Sequence, residues 1–176
     1  MGRFFSFAFY PLLMLTGIVW ILASGSPGVL AGIPAGLGIW TFVEYLLHRF
    51  AFHPRAGSGW RRRLAYSAHG LHHRNPRDPD HILVRPAWSV SLSAAIGVAL
   101  VAVTGDVRFT GALLSGVWLG FLYYEWVHYR VHMSSRAGLL DWHRKRHFRH
   151  HFVDPEGGYG VTSSFWDHVF GTAGKD

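Results

Sequence analysis

Four long apolar runs constrain this chain more than any other feature of its sequence. The runs cover residues 4–23, 29–47, 87–104 and 109–127 of the 176 residues. A helix needs about 20 apolar residues to cross the hydrocarbon core of a bilayer, so each run is long enough to span a membrane. The sequence therefore predicts an all-α protein with four membrane helices, organised as a single domain over residues 1–176.

The connections between the runs predict the topology. Residues 24–28 and 105–108 are short and join the runs into two hairpins, whereas segments 49–86 and 130–176 are long and polar. Both polar segments and both termini are therefore expected on the same side of the membrane. The two segments hold most of the arginines, and positively charged loops stay in the cytoplasm. We expect them to form a cytoplasmic helical cap.

Composition restricts the chemistry that this cap can perform. The chain has no cysteine, which excludes disulfides, thiolate metal sites and cysteine nucleophiles. It has 13 histidines, so a metal ion would be bound by imidazole or oxygen ligands. The net charge is +7, a value shared by many nucleic-acid-binding proteins, but four membrane spans exclude a soluble protein of that class.

Ten of the 13 histidines lie in four clusters. These are His48 and His53; His69, His72 and His73; His128 and His132; and His147, His150 and His151. Two clusters have the spacing HxxHH, and residues at i, i+3 and i+4 share one face of a helix. Each HxxHH motif is therefore expected to present three imidazoles to one point. Histidines five residues apart cannot share an α-helical face, so Pro54 is expected to break the helix after His48.

The clusters occur once in each half of the chain. Each half has two apolar runs, a histidine pair at the end of the second run and an HxxHH motif about 20 residues later, as in an imperfect internal repeat. Two such halves can enclose one site. A single metal ion takes about four to six ligands, so ten imidazoles are too many for one ion. They suit two ions that each keep an open position. A dinuclear metal centre is therefore predicted.

Two glutamates lie close to the histidines at the ends of the second and fourth runs. Glu44 precedes His48 by four residues, and Glu125 precedes His128 by three. Each carboxylate is placed to accept the second N–H of a metal-bound imidazole, although an ion pair with a neighbouring arginine stays open as an alternative. Tyr124, adjacent to Glu125, is the third candidate for a catalytic residue.

The remaining polar residues near the clusters are weaker candidates. Three aspartates are further candidates for contacts to metal-bound histidines: Asp141, Asp154 and Asp167. Three histidines lie outside the clusters and are not expected to bind metal: His81, His143 and His168. Of these three, only His143 is placed to contact the clustered histidines, because it lies one helical turn before His147.

These motifs resemble those of the fatty acid hydroxylase superfamily of membrane di-iron enzymes, and most closely its fatty acid or sphingolipid 2-hydroxylase branch. The matching strings are EYLLHRFAFH, HGLHHRNPRDPD, YYEWVHYRVH, HRKRHFRHH and YGVTSSFWDHVFGT. The resemblance implies that the ten clustered histidines bind two Fe ions, with zinc as an inactive substitute. It also implies that the protein uses O2 to hydroxylate the hydrocarbon chain of a membrane lipid.

The sequence departs from the eukaryotic 2-hydroxylases because no HPGG string of a fused cytochrome b5 domain precedes the first run. A separate electron-donor protein is therefore expected as a partner. Its docking surface would be the arginine-rich cap, unless those arginines bind anionic lipid headgroups.

Other functions stay open. Within the superfamily, hydroxylation of a sterol, carotenoid or alkyl lipid, or desaturation, is the main alternative. A metal transporter would have its sites midway through the spans. A structural zinc protein would have a closed shell of four ligands.

Overall fold

The structure is a computed structural model that describes residues 4–25, 27–54, 59–135 and 138–174. Regular structure in these residues is helical throughout, which confirms the all-α prediction. The α-helices are α1 (Phe5–Ala23), α2 (Gly32–Leu46), α3 (Gly59–Ala65), α4 (Leu71–Arg74), α5 (Pro79–Ile82), α6 (Pro86–Thr104), α7 (Val107–Met133), α8 (Asp141–Phe152) and α9 (Phe165–Val169). Two π-helical segments, Leu47–Phe52 and Tyr66–Gly70, follow α2 and α3 directly.

The chain divides into two compact units. The first consists of residues 1–40 and 84–123, and the second of residues 41–83 and 124–176. The first unit contains α1, α6 and the N-terminal parts of α2 and α7. The second contains the shorter helices and all ten clustered histidines. That the whole chain behaves as one domain stays a prediction.

Three segments of the described chain are long and apolar enough to cross a membrane. They are Phe5–Ala23, Pro27–Phe52 and Pro79–Thr104. Each overlaps one of the predicted spans over at least all but one residue, and the ends of α1 and α6 lie within one residue of the predicted ends. The fourth predicted span, 109–127, lies within α7, a helix of 27 residues that is less apolar than these three segments.

Burial explains the composition of α7. Ala112, Val117 and Phe121 of this helix are at most 5% exposed, whereas only 6% of the most apolar window in Pro79–Thr104 is buried. The ring of Tyr10 in α1 packs edge-on against Phe121, with centroids 5.4 Å apart. A helix packed against other helices needs less apolar side-chain surface than one whose sides face lipid.

The turn between α6 and α7 is built from capping residues. Helix α6 ends at Gly105, whose φ of 65° is the left-handed conformation that glycine adopts without a steric penalty. The next residue, Asp106, caps α7 by accepting hydrogen bonds from the backbone N–H groups of Arg108 (2.7 Å) and Phe109 (3.2 Å). The predicted connection, residues 105–108, is thus a two-residue turn.

Helices α2 and α7 approach backbone to backbone within the first unit. A Cβ atom added to Gly36 would lie 2.0 Å from the carbonyl oxygen of Leu113, and one added to Gly116 would lie 2.0 Å from the carbonyl oxygen of Ile33. Such contacts involve backbone atoms, so no side-chain rotation relieves them. Small residues at helix crossings serve this close approach in membrane proteins.

Gly36→Ala is therefore expected to lower the free energy of unfolding by about 1–3 kcal/mol, because the added methyl group forces the two helices apart. Gly38→Ala is the matched control, since a Cβ atom at Gly38 meets nothing within 4 Å. The control should leave stability unchanged or raise it by up to about 1 kcal/mol. Unfolding of the detergent-solubilised variants measures the difference, and equal stability of the two would contradict the close crossing.

Candidate metal centre

A π-helical turn brings His48 and His53 together. Segment Leu47–Phe52 continues α2, and the N–H of His53 donates to the carbonyl oxygen of His48 over 3.1 Å. A π-turn closes hydrogen bonds between residues five apart, so residues at i and i+5 lie above one another. The predicted end of the helix is confirmed at His53, which precedes Pro54 and has a non-helical φ of −116° and ψ of 60°, but the helix does not break directly after His48. The helix widens instead, and both imidazoles point into one site.

A second π-helical turn starts the HGLHH motif. Helix α3 runs into segment Tyr66–Gly70, where the N–H of Leu71 donates to the carbonyl oxygen of Tyr66. His69 lies in this segment, and His72 and His73 follow in α4. The HFRHH motif differs, because all three of its histidines lie in the regular helix α8. The two halves of the sequence thus reach similar histidine positions with different backbones.

The ten clustered histidines form two groups of five. In each group one ring nitrogen per histidine lies within 4.8 Å of every other. Group 1 consists of His48, His53, His69, His73 and His150. Group 2 consists of His72, His128, His132, His147 and His151. The groups are adjacent, since the rings of His73 and His151 stack with centroids 4.0 Å apart.

The prediction that each HxxHH motif presents three imidazoles to one point is wrong. In both motifs the histidines at i and i+4 join one group and the histidine at i+3 joins the other. Successive residues of an α-helix are about 100° apart, so positions i+3 and i+4 lie on opposite sides of position i. His72 therefore joins the group built mainly from the second half of the sequence. His150 likewise joins the group built mainly from the first half.

The distances within the groups fit metal coordination. In group 1 the Nε2 atoms of His48 and His69 are 3.1 Å apart, as are those of His53 and His150. In group 2 four pairs of Nε2 atoms are in short contact, at distances from 2.7 Å (His132 to His147) to 3.0 Å (His147 to His151). Two imidazole nitrogens bound at about 2.1 Å and at right angles to one another would be about 3 Å apart.

Hydrogen bonding alone cannot account for these contacts. The Nε2 atom of His72 approaches those of both His128 (2.9 Å) and His151 (3.0 Å), and the Nε2 atom of His151 also approaches that of His147. A ring nitrogen of neutral imidazole carries either one N–H or one lone pair, so it cannot satisfy two such neighbours. Lone pairs directed at a shared cation do satisfy them. The histidine groups can therefore bind metal ions.

Backbone carbonyl groups fix the tautomer of two histidines in group 1. The Nδ1–H of His48 donates to the carbonyl oxygen of Tyr159 over 2.5 Å, and that of His150 donates to Gly157 over 2.8 Å. A carbonyl oxygen only accepts, so the proton lies on Nδ1 and the Nε2 lone pair faces the group. Glu44 was predicted to accept the N–H of His48. It accepts from Val161 and Thr162 instead, so that prediction is wrong.

Burial keeps the imidazoles outside the candidate spans neutral. It lowers the pKa of His69 and His147 well below the usual value of 6.5, with a further contribution from neighbouring histidines. The same causes lower the pKa of His53 to about 4 and that of His73 to about 3. Only a neutral imidazole has a lone pair for a metal ion, so these side chains are ready to bind at neutral pH.

Tyr124 and Glu125 lie beside group 2. Both are buried, and Glu125 is 0% exposed. The ring of Tyr124 stacks on that of His128 with centroids 5.4 Å apart. A carboxylate that is completely buried one turn before a clustered histidine is unlike a solvent-facing ion pair, and Arg130 is exposed. The prediction that Glu125 accepts the second N–H of His128 is wrong, because within the described residues the buried Nδ1 atom of His128 has no hydrogen-bond partner. The burial of Tyr124 and Glu125 keeps both residues candidates for functional roles.

The remaining candidates divide by contact. Asp167 is 0% exposed and accepts a hydrogen bond from the backbone N–H of Tyr159, whose carbonyl group binds His48. Asp141 is exposed in the first turn of α8. Asp154 accepts from the backbone N–H of Glu156. The histidines outside the clusters lie outside both groups: His81 pairs with Asp78, His143 hydrogen-bonds the backbone of Thr162, and His168 contacts the carbonyl oxygen of Ser164.

Fold and site together define a class of protein: an integral membrane protein with apolar helices and two histidine groups that can bind metal ions. Residues 33–172 match the fatty acid hydroxylase family, and the chain belongs to that family. The match includes all ten clustered histidines. The chain is therefore an oxidoreductase of the lipid-hydroxylating kind, and the resemblance inferred from the motifs is confirmed.

Relatives and a solved structure agree with this assignment. The chain is 32% identical over 169 residues to dihydroceramide fatty acyl 2-hydroxylase FAH1 of Arabidopsis thaliana, covering 92% of this chain and 71% of that protein. It is 34% identical over 141 residues to fatty acid 2-hydroxylase of Rattus norvegicus, covering 78% and 38%. The structure of full-length scs7p, in which only the hydroxylase domain is visible, matches with a TM-score of 0.86 at 28% identity, covering 98% of this chain and 66% of that one.

Proposed function

We propose that this chain is a membrane di-iron oxygenase that hydroxylates carbon 2 of the acyl chain of a fatty acid or sphingolipid. The observation that carries the proposal is the pair of five-histidine groups in a chain of the fatty acid hydroxylase family. The relatives named above supply the expected substrate class, because their names describe 2-hydroxylases of fatty acids and dihydroceramide fatty acyl chains.

Group 1 and group 2 would each hold one Fe ion. Such an iron pair supplies the activation of O2 that attack on an unactivated C–H bond requires. The protein contributes neutral imidazoles, buried surroundings that exclude water, and fixed tautomers at His48 and His150. Tyr124 and Glu125 border group 2, where they can orient an imidazole or guide the lipid chain. Zinc has no redox chemistry, so a zinc form would be inactive.

The histidine groups also favour this function over the alternatives. Five imidazoles per group exceed the closed shell of four that a structural zinc site uses. A transporter would place its sites midway through the spans, but His48 lies near the end of the segment Pro27–Phe52, and His128 and His132 lie in the last two turns of α7. Both observations support a catalytic centre.

The proposed topology has four membrane spans, with α7 supplying the fourth, and with both termini and the histidine groups on the cytoplasmic side. The short connections and the arginine-rich segments support it. Electrons would come from a separate donor protein. The exposed run Arg61–Arg63 in α3 could dock an acidic donor or bind anionic lipid headgroups, and the sequence favours neither.

Lipid analysis tests the proposed function directly. Cells that express the protein with sufficient iron should accumulate lipids whose acyl chains have gained one oxygen, and fragmentation of the released fatty acids should locate the hydroxyl group on carbon 2. Cells that express His72→Ala are the matched control. A hydroxyl group elsewhere, or loss of two hydrogens instead, would indicate the alternative hydroxylase or desaturase functions. No change in any lipid with iron-loaded protein would contradict enzymatic oxidation.

Metal binding is expected to persist at pH 6.5 and to fall toward pH 4. Because the pKa values of His53 and His73 are about 4 and about 3, protons compete for these imidazoles only well below the usual histidine range. The unfolded chain takes up protons near 6.5, so the stability that neutral histidines contribute is complete above that value and declines as pH falls below it. Metal content and helicity measured from pH 7.5 to 3.5 check this, and full occupancy at the lowest pH would contradict histidine ligation.

A further inference from the structure

The segment Gly157–Thr162 connects group 1 to two buried carboxylates. On one side its carbonyl groups accept the Nδ1–H groups of His48 and His150, at Tyr159 and Gly157 respectively. These two bonds set the direction in which each Nε2 lone pair points. The position of the segment therefore determines the geometry of two histidines in group 1.

Asp167 in α9 holds the first half of this segment. Its carboxylate is 0% exposed and accepts from the backbone N–H groups of Tyr159 and Gly160, each over 2.9 Å. It also accepts from the hydroxyl group of Thr172 (2.9 Å) and from the guanidinium of Arg146 (3.1 Å). A buried carboxylate with this many donors is a fixed anchor, because leaving any of them unpaired is costly.

Glu44 in α2 holds the second half. Its carboxylate is 4% exposed and accepts from the backbone N–H groups of Val161 (2.5 Å) and Thr162 (2.9 Å) and from the hydroxyl group of Thr162. Four consecutive backbone N–H groups, from residue 159 to residue 162, are thus bound by two carboxylates. The carbonyl groups of Gly157 and Tyr159 in the segment Gly157–Thr162 face the histidines.

Two glycines allow the segment to take this path. Gly158 has a φ of +67°, a conformation that other residues adopt at a cost. A Cβ atom at Gly160 would lie 1.9 Å from the carbonyl oxygen of Ser163, so the tight turn before α9 excludes a side chain there. Gly158 and Gly160 in the string GGYG are therefore explained by the path of the backbone through this segment.

We propose that Asp167 and Glu44 are positioning residues for the metal ion of group 1, which they affect through the segment Gly157–Thr162 without contacting the ion or its ligands. This inference rests on the proposed function, in which group 1 binds a metal ion. Three histidines of group 2 lack such a hydrogen bond to a backbone carbonyl group: within the described residues, the buried Nδ1 atoms of His72, His128 and His147 have no hydrogen-bond partner. The two ions should therefore respond differently to loss of either carboxylate.

Asp167→Asn tests the proposal, with Asp141→Asn as the matched control. The amide keeps the shape of the side chain but turns one acceptor oxygen into a donor that faces backbone N–H groups. Metal-free protein in detergent is titrated with Co²⁺ against a competing chelator. Wild type and Asp141→Asn should bind two ions with equal affinity to each other. In Asp167→Asn one ion should bind as in wild type, and the other about 10- to 100-fold more weakly.

A tautomer measurement separates positioning from general damage. In the zinc-loaded protein, long-range proton–nitrogen NMR should show protonated Nδ1 atoms for His48 and His150 in wild type and altered signals for both in Asp167→Asn. Thr162→Val removes only the hydroxyl bond to Glu44, so it should weaken the same ion to a smaller degree, and it decides the question if Asp167→Asn fails to fold. Equal weakening of both ions, or of neither, would overturn the proposal. Failure of the wild type to bind two ions would instead contradict the proposed function.

Discussion

His72→Ala and His73→Ala should each abolish lipid hydroxylation, yet each should remove a different metal ion. The two residues are neighbours in α4, but His72 belongs to group 2 and His73 to group 1. Loss of one imidazole removes one of the five ligands of its group and weakens the ion held there, and the hydroxylation proposed here needs both ions. We expect activity at background in both variants and metal content near one ion per chain instead of two.

The measurement combines metal analysis with turnover. His168→Ala is the control, because this histidine is exposed in α9, contacts the carbonyl oxygen of Ser164 and lies outside both groups. It should retain two ions and wild-type turnover. The helical content of all three variants should match wild type, since none of the three histidines lies in the apolar helices α1 and α6. Full activity of either His72→Ala or His73→Ala would contradict the assignment of that histidine as a metal ligand.

Glu125→Gln should reduce turnover by roughly 10- to 100-fold, the loss expected when a charged group close to a metal-bound histidine is removed. Glu125 is completely buried one helical turn before His128 and beside Tyr124, whose ring stacks on His128. The amide preserves the size of the side chain and removes its charge. A change in turnover therefore reports on charge and hydrogen bonding rather than on packing.

Metal occupancy measured in the same preparation distinguishes two roles for Glu125. If the charge of the carboxylate acts on the histidines of group 2, metal affinity and turnover should fall together. If it guides the lipid chain, metal content should be normal while turnover falls or the product distribution changes. An ion pair with Arg130 alone would leave catalysis intact and alter stability by at most about 1 kcal/mol. Wild-type occupancy and turnover together would leave Glu125 with no functional role.

The sequence predicts those parts of the fold that depend on local pattern. Apolar runs of about 20 residues located α1 and α6 to within one residue at each end. Histidine spacing identified all ten members of groups 1 and 2. Both features are patterns among residues that are close together in the sequence, so predicting them required no knowledge of contacts between distant residues.

The division of the histidines between two groups could not be predicted, because it depends on contacts between distant residues. The Nε2 atoms of His53 and His150 meet across 97 residues of sequence. Spacing alone also treats every helix as regular, and the π-turn at Leu47–Phe52 lets residues five apart share a face. The sequence did not predict that the carbonyl groups of Gly157 and Tyr159 bind histidines, because every residue has a backbone carbonyl group whatever its side chain. Their only signal is the run of glycines around them.

The exchange of His72 and His150 between the groups determines when the protein can acquire metal during its synthesis. A nascent chain that ended after α7 would carry four imidazoles of group 1 and three of group 2. His48 would also lack the carbonyl of Tyr159, which lies 111 residues further along the chain. Neither group is complete until α8 has left the ribosome. A complete set of ligands for either ion therefore exists only late in synthesis, and a metal ion bound earlier would be held by an incomplete set.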